Sequence, residues 1–328
     1  MKAKKLLAGV LTCTMVFAMG MTAFAADGGN VDAGMKKSYK LVNAGTKSPA
    51  ETFHFTAKCT AVDGVADGVT VENAPKLTIQ DAVYEENDAT VGGAERILKI
   101  KHDEQLFSSV GIYTYEVTET AGSTAGVTYD TTEKTLVVTV TQEENGLKET
   151  YALHNGKAKA NNKTDTVENT YSAGSLCVKK VVTGNLGDKK KEFDFTVKFT
   201  KPEGKDVKST IKATVAGKEV DFKPVWDENR TYTYTFKLSD EASATFENLP
   251  YGVTYDVTEN SDKYESSIEG KGSDKIAAPT QSVTFKNTKT GSVDTGINLT
   301  TLPYMLTIAA IFVIAAIAFV AKRRRFED

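Results

Sequence analysis

Cysteine is nearly absent from this 328-residue chain: Cys13, Cys59 and Cys177 are the only three. That excludes a scaffold stapled by disulfides, and Cys59 and Cys177, far apart in the sequence, read as single buried thiols. Histidine is equally sparse. His54, His102 and His154 are dispersed, with neither an H-E-x-x-H pattern nor the Cys/His spacing of a zinc site, so no metal is expected. No G-x-S-x-G elbow and no phosphate-cradling glycine loop occurs, so neither a multiple-turnover enzyme nor a cofactor is expected. Trp226, the one tryptophan, reads as core. Excess positive charge is missing too. Between residues 26 and 295 there are 33 basic and 41 acidic side chains, a balance that argues against nucleic acid as a partner.

Helical periodicity is missing between residues 30 and 290. What stands there instead are alternating β-branched and aromatic runs: Phe53–Thr56, Gly111–Thr120, Thr135–Thr141, Phe193–Phe199, Thr231–Leu238 and Ser282–Phe285. Gly, Asn and Asp clusters separate them, as in antiparallel sandwiches with one buried and one solvated face. The expected fold is all-β, with two tandem Ig-like β-sandwich domains at 26–171 and 172–290.

The two ends read as addresses. Residues 1–25 combine a basic start, an apolar run Leu6–Met21 and Ala23-Phe24-Ala25, the pattern of a secretory signal peptide. Thr12 before Cys13 argues against lipidation. At the other end an uncharged run, Tyr304–Ala321, precedes Lys322–Arg325, the pattern of a membrane span with a basic cytoplasmic tail, placed within residues 297–328. Just before it, within 291–296, Ser292-Val293-Asp294-Thr295-Gly296 offers the Thr295–Gly296 bond that a sortase transpeptidase would cut. Together these predict an exported, wall-anchored chain.

The body repeats itself. Each half opens with a lysine-bearing strand (Met35-Lys36-Lys37; Leu176-Cys177-Val178-Lys179-Lys180) and continues with an F-x-F strand (Phe53/Phe55; Phe193/Phe195). Each then carries Y-x-V-T-E, ending at Glu119 or Glu259, and closes on an Asn-Thr pair at Asn169 or Asn287. From Glu119 to Asn169 is 50 residues and from Glu259 to Asn287 only 28, so the first half has room for about one more hairpin. Period-two alternation selects the inward lysines. Leu176, Val178 and Lys180 share a face, as do Ala33, Met35, Lys37, Tyr39 and Leu41, so Lys180 and Lys37 are the candidates and Lys40 the runner-up. Among acids, Glu133 in Tyr129-Asp130-Thr131-Thr132-Glu133 is a weaker rival to Glu119, because it lacks the Val before Thr-Glu.

If the first and last strands of each half are neighbours, Lys and Asn meet in the core. A buried lysine tends to lose its proton and become a nucleophile, and a buried glutamate tends to stay protonated. Such a glutamate can hydrogen-bond the Asn carbonyl and shuttle protons while the amine attacks. Ammonia leaves and an intramolecular Lys–Asn isopeptide bond remains, formed once per site by the chain itself.

In these motifs the chain resembles the isopeptide-bonded major pilins of Gram-positive bacteria, of the two-domain streptococcal backbone type. Gly111–Glu119 fits the family's Gly-x-Tyr-x-Tyr-x-Val-Thr-Glu, and Leu249–Glu259 fits Leu-Pro-x-Gly-Val-x-Tyr-x-Val-Thr-Glu. The resemblance implies CnaB-type domains with Lys37, Glu119 and Asn169 forming one site and Lys180, Glu259 and Asn287 the other. It also implies sortase polymerisation, with other copies of the chain, sortase, peptidoglycan, minor pilins and a host receptor as partners. In the region matching the family's intersubunit lysine stands Lys163, with Lys157 and Lys159 as competitors. Two departures are plain: no Tyr-Pro-Lys motif occurs, and Asp294 stands where the sorting motif has proline. The alternative to a shaft subunit is a wall-anchored adhesin that uses the same cross-linked folds as a stalk.

Overall fold

The computed structural model describes residues 33–102, 106–144, 146–159, 161–292 and 301–324. The expected signal peptide and the Thr295–Gly296 bond lie outside the described residues. Eleven strands precede Ser172: β1 (Ala33–Leu41), β2 (Glu51–Asp63), β3 (Leu77–Ile79), β4 (Ala82–Tyr84), β5 (Ala94–His102), β6 (Gly111–Thr120), β7 (Val127–Thr128), β8 (Lys134–Glu143), β9 (Gly146–Asn155), β10 (Lys163–Thr164) and β11 (Thr166–Tyr171). They form two sheets of orders β3-β5-β1-β11-β7 and β10-β9-β8-β6-β2-β4. Ten more follow: β12 (Ala173–Thr183), β13 (Phe193–Thr200), β14 (Lys212–Val215), β15 (Lys218–Val220), β16 (Thr231–Leu238), β17 (Ser243–Pro250), β18 (Thr254–Glu259), β19 (Glu265–Gly270), β20 (Ser273–Lys275) and β21 (Thr280–Thr288). Their sheets have the orders β15-β14-β17-β12-β21-β19 and β16-β13-β18-β20. The fold is all-β, as the alternating runs predict, and the β8–β9 hairpin supplies the extra length of the first half.

The alternation is the reason the strands bury one face. In β13, Phe193, Phe195, Val197 and Phe199 are buried while Asp194 and Lys198 are exposed. Two separate cores result. One gathers around Tyr39, Phe53, Tyr84 and Tyr115, the other around Phe195, Phe199, Phe236 and Phe246. The same rule corrects the reading of Cys177, which sits between the inward Leu176 and Val178 and is half-exposed, while Cys59, on the inward face of β2, packs against the first core and is only partly buried. Trp226 is half-buried and packs against the second core from its edge.

Both terminal strands pair in parallel. β1 lies beside β11 with Tyr39 opposite Asn169, and β12 lies beside β21 with Val182 opposite Asn287. In each case the asparagine faces the residue two beyond the candidate lysine. Because successive side chains alternate, that offset puts Lys and Asn on one face of one sheet.

Only Ser172 separates β11 from β12, and the two units touch on both sides of this junction. The Asn43 side-chain amide donates to Ala173 O and to the Tyr251 hydroxyl, each at 2.7 Å. Asn248 exchanges two hydrogen bonds with the Lys47 backbone, and Asp206 pairs with the backbone of Ser123 and Ala125. Gly126 is required there. Its φ is +79°, and a Cβ would stand 2.6 Å from Ser172 O.

Beyond the body, α1 (Thr301–Arg324) carries the C-terminal apolar run. Its described apolar side chains extend from Met305 to Phe319, and among the described residues no helix is long and apolar enough to cross a membrane.

Phe246 has no exposed surface and packs edge-on against Phe199, Tyr234 and Phe236 and at a tilt against Phe222. Truncation leaves a cavity its rigid aromatic neighbours cannot fill. Phe246→Ala is expected to destabilise the second domain by about 3–5 kcal/mol. Denaturant titration in a Glu259→Ala background is the measurement, and the transition of the first domain should not move.

Candidate functional site: two buried Lys–Glu–Asn clusters

In each domain β1 or β12 brings a lysine and its parallel neighbour brings an asparagine. The opposing sheet brings the glutamate. Glu119, next to last in β6, lies opposite Phe55 of β2, and Glu259, last in β18, lies opposite Phe195 of β13, so the F-x-F strands set both acids at the same register. The four residues Lys37, Asn169, Lys180 and Asn287 have no exposed surface, and the side chains of Glu119 and Glu259 are 1% exposed. The structure therefore brings together all six residues that the repeat singled out.

The alternatives fall away for geometric reasons. Lys36 and Lys40 flank Lys37 on the same strand and are half-buried on its outer side, where Lys36 reaches Asp165 at 3.3 Å. Lys179 is likewise turned outward, to Glu241 at 2.7 Å. Glu133 is exposed.

In the first cluster Lys37 Nζ lies 2.6 Å from Glu119 Oε2. The ammonium sits 4.6 Å from the centre of the Phe53 ring and 5.7 Å from that of Phe55, so apolar walls replace most of its water. Desolvation pushes its pKa down to about 8, against the pull of Glu119. The same desolvation raises Glu119, with Lys37 and Asn169 opposing. Both shifts favour a neutral amine beside a neutral acid, the state in which the amine carries a free lone pair.

Asn169 is oriented by two partners. Its Nδ2 donates to Glu119 Oε1, and its Oδ1 accepts from the Asp130 backbone N–H at 2.7 Å. The carbonyl thus faces Asp130 and the amide nitrogen faces the glutamate, which reverses the contact expected from the sequence.

The second cluster has the same members with looser bonding. Lys180 Nζ is 2.6 Å from Glu259 Oε1, an ion-pair distance, but the approach is poorly aligned for a hydrogen bond. Asn287 Nδ2 donates to Glu259 Oε1 at 3.0 Å. Glu259 Oε2 and Asn287 Oδ1 are buried without a hydrogen-bond partner among the described residues. Burial lowers the Lys180 pKa, and Phe193 lies 4.3 Å from its nitrogen. Each unpartnered buried polar atom costs about 1–3 kcal/mol, so this core holds its triad at an energetic disadvantage.

Lys163 is exposed and begins β10, opposite His154. The sequence reading missed what shapes the loop before it. Asn162 Oδ1 accepts from Lys159 N at 2.9 Å, while its Nδ2 donates to Asn155 O and Lys157 O. His154 Nδ1 lies 3.0 Å from both Lys159 O and Asn162 Oδ1, which fixes the proton on that nitrogen. Lys157 and Lys159 are exposed on the same loop. Among the described residues no group of three or more His, Cys, Asp or Glu is placed to hold a metal ion.

Comparison with known proteins adds an independent line. Residues 34–172 match the family model described as a Spy0128-like isopeptide containing domain, and residues 174–289 match a domain of unknown function, DUF7601. A pilin of Streptococcus pyogenes serotype M1 is 30% identical over 332 residues, covering 92% of this chain and 96% of that protein. The pilus tip adhesin Cpa of Streptococcus pyogenes is 36% identical over 97 residues, which are 29% of this chain and 13% of the adhesin. Among solved structures, the major pilin from Streptococcus pyogenes superposes with a TM-score of 0.51 at 26% identity, covering 83% of this chain and all of that one. With two all-β units, each burying a lysine, a glutamate and an asparagine at equivalent positions, the chain belongs to the family of isopeptide-containing streptococcal major pilins.

Proposed function

We propose that this chain is the shaft subunit of a surface pilus, and that each of its domains closes one Lys–Asn isopeptide bond without help. The observation that carries the reading is the duplicated register: Lys two residues before the position opposite Asn, with Glu reaching in from the facing sheet. Residues 26–171 and 172–290 are the two units, joining Lys37 to Asn169 and Lys180 to Asn287.

The reaction follows from the first cluster. The neutral amine of Lys37 attacks Asn169 Cγ, and protonated Glu119 gives its proton to Nδ2 as it takes one from the attacking nitrogen. The C–N bond breaks and ammonia leaves. Proximity in a dry core supplies most of the acceleration. Glu119 is regenerated while the amide persists, so the site turns over once.

Parallel terminal strands explain the use. Tension that enters at the start of β1 and leaves at the end of β11 shears two neighbouring strands, which hydrogen bonds alone resist until they yield together. An amide between them carries the load past the rest of the domain. By analogy with disulfides that close loops of about 100 residues, each bond adds roughly 4–5 kcal/mol. Unlike a disulfide, it is indifferent to reductant.

Export by residues 1–25, temporary retention by the run Tyr304–Ala321, and sortase cleavage between Thr295 and Gly296 complete the reading. The Thr295 acyl group is passed from Gly296, through the sortase, to the amine of Lys163 of the next copy or of peptidoglycan. Accessory pilins and a host receptor are partners of the assembled fibre. The adhesin reading has less support, since the similarity to the tip protein spans only 29% of this chain.

Intact-mass spectrometry of residues 26–290 is expected to give a deficit of two ammonia molecules, reduced to one by Glu119→Ala or Glu259→Ala. A mass equal to the calculated sequence overturns the mechanism. The rate in the first domain should be bell-shaped in pH. The reactive pair shares one proton, so below the raised Glu119 range the lysine is held as ammonium. Above about 8 the pair loses the proton that the leaving nitrogen needs. A time course of ammonia loss from freshly synthesised chain, sampled between acid and alkaline buffers, reads both limbs. On surface extracts, Lys163→Ala is expected to collapse the detergent-resistant ladder of polymers to monomer, and an unchanged ladder removes that lysine from the linkage.

A further inference from the structure

The segment Tyr129–Glu133 contributes to the first site through its backbone and not through an acid. The Asp130 N–H points at Asn169 Oδ1 at 2.7 Å. Asp130 is clamped from two sides: its Oδ1 accepts from Thr132 N at 2.9 Å, closing a tight turn, and its Oδ2 meets Lys134 Nζ at 2.8 Å. The clamp is largely shielded from water, with the Lys134 and Asp130 side chains 6% and 15% exposed. Tyr129 braces it further, its ring packing edge-on against Phe53 and its hydroxyl accepting from Thr124 N.

A backbone N–H can only donate, so it dictates which end of the Asn169 amide faces it. The carbonyl oxygen is held toward Asp130 and the nitrogen toward Glu119. Attack by Lys37 places negative charge on that oxygen. The structure assigns the Asp130 backbone N–H as the donor that polarises the Asn169 carbonyl and receives the developing oxyanion, leaving Glu119 to serve the incoming and departing nitrogens. This rests on the isopeptide reading and refines it. The electron pair of the carbonyl moves onto Oδ1 under the Asp130 N–H, and as the intermediate collapses protonated Glu119 gives its proton to Nδ2, which leaves as ammonia, and takes the Lys37 proton in its place. No other reactant is needed. Oδ1 of Asn287 meets no donor among the described residues, so the device belongs to the first domain.

Cell-free synthesis followed by mass analysis of both cross-linked peptides tests the assignment, with closure of the second domain as internal control. Asp130→Pro removes the donor and is expected to slow closure of the first domain by about 10²–10³-fold, the loss typical of one oxyanion donor. Asp130→Asn keeps the N–H and the turn and is expected to stay within a few-fold of wild type. Equal rates for Asp130→Pro and wild type overturn the assignment. Should the proline variant not fold, hydrogen exchange in the Glu119→Ala chain decides. The Asp130 amide is expected to be protected there and to lose that protection in Glu119→Ala/Asn169→Ala. An unprotected Asp130 amide in the single variant equally overturns it. If the wild-type first domain loses no ammonia, it is the isopeptide reading that fails, while the exchange experiment still reports on the hydrogen bond.

Discussion

An ammonium and a carboxylate enclosed by phenylalanine rings cannot both keep their charges cheaply, and the rest of this molecule is arranged around that fact. Water would stabilise Lys37 and Glu119 as ions, but the core sets them against Phe53, Phe55, Asn169 and each other, with the Asp130–Lys134 pair beyond. Proton exchange within the pair removes both charges at once. The lowered Lys37 and raised Glu119 both favour that exchange, which would set a free amine against a carboxamide at a place where neither can diffuse away. A sandwich is well suited to impose this, because two sheets closing face to face expel water from all the inward side chains together.

The two clusters obey the same constraint with different degrees of satisfaction. In the first, every polar atom of Asn169 has a partner and the amide has one orientation. In the second, Asn287 Oδ1 and Glu259 Oε2 have none among the described residues. One site is therefore preorganised by hydrogen bonds and the other mainly by packing. The contrast follows from the chain between acid and asparagine. The first half has 50 residues there, enough for the β8–β9 hairpin and the Asp130 turn that precedes it, whereas the second has 28.

The junction leaves the two units little freedom to pivot. With Ser172 alone between β11 and β12, a freely pivoting linker has no length to work with. Asn43, Asn248 and Asp206 bind across it through directional hydrogen bonds to backbone and to Tyr251, and the positive-φ Gly126 lets the two backbones approach.

Much of this was legible in the residues themselves. Alternation assigned Lys37 and Lys180 to the inner faces and Lys36, Lys40 and Lys179 to the outer ones, since a strand offers only two sides. Repetition picked out Glu119, Glu259, Asn169 and Asn287, since four ordered landmarks seldom recur by accident. Strands such as β19, exposed along its whole length, left no such trace, because an edge strand with Ile268 as its one apolar side chain has no apolar face to alternate. Alternation also fixed the side taken by Cys177, although a rule of thumb about thiols had pointed the other way. Only the tertiary structure decided that the acids come from the opposing sheet, that Asp130 holds the Asn169 carbonyl, and that Asn162 and His154 shape the lysine loop. Those are contacts between residues 8 to 82 positions apart, set by how sheets pack and loops turn. Period-two patterning encodes which way a side chain points; what it meets there depends on the register and twist of strands brought in from elsewhere in the chain.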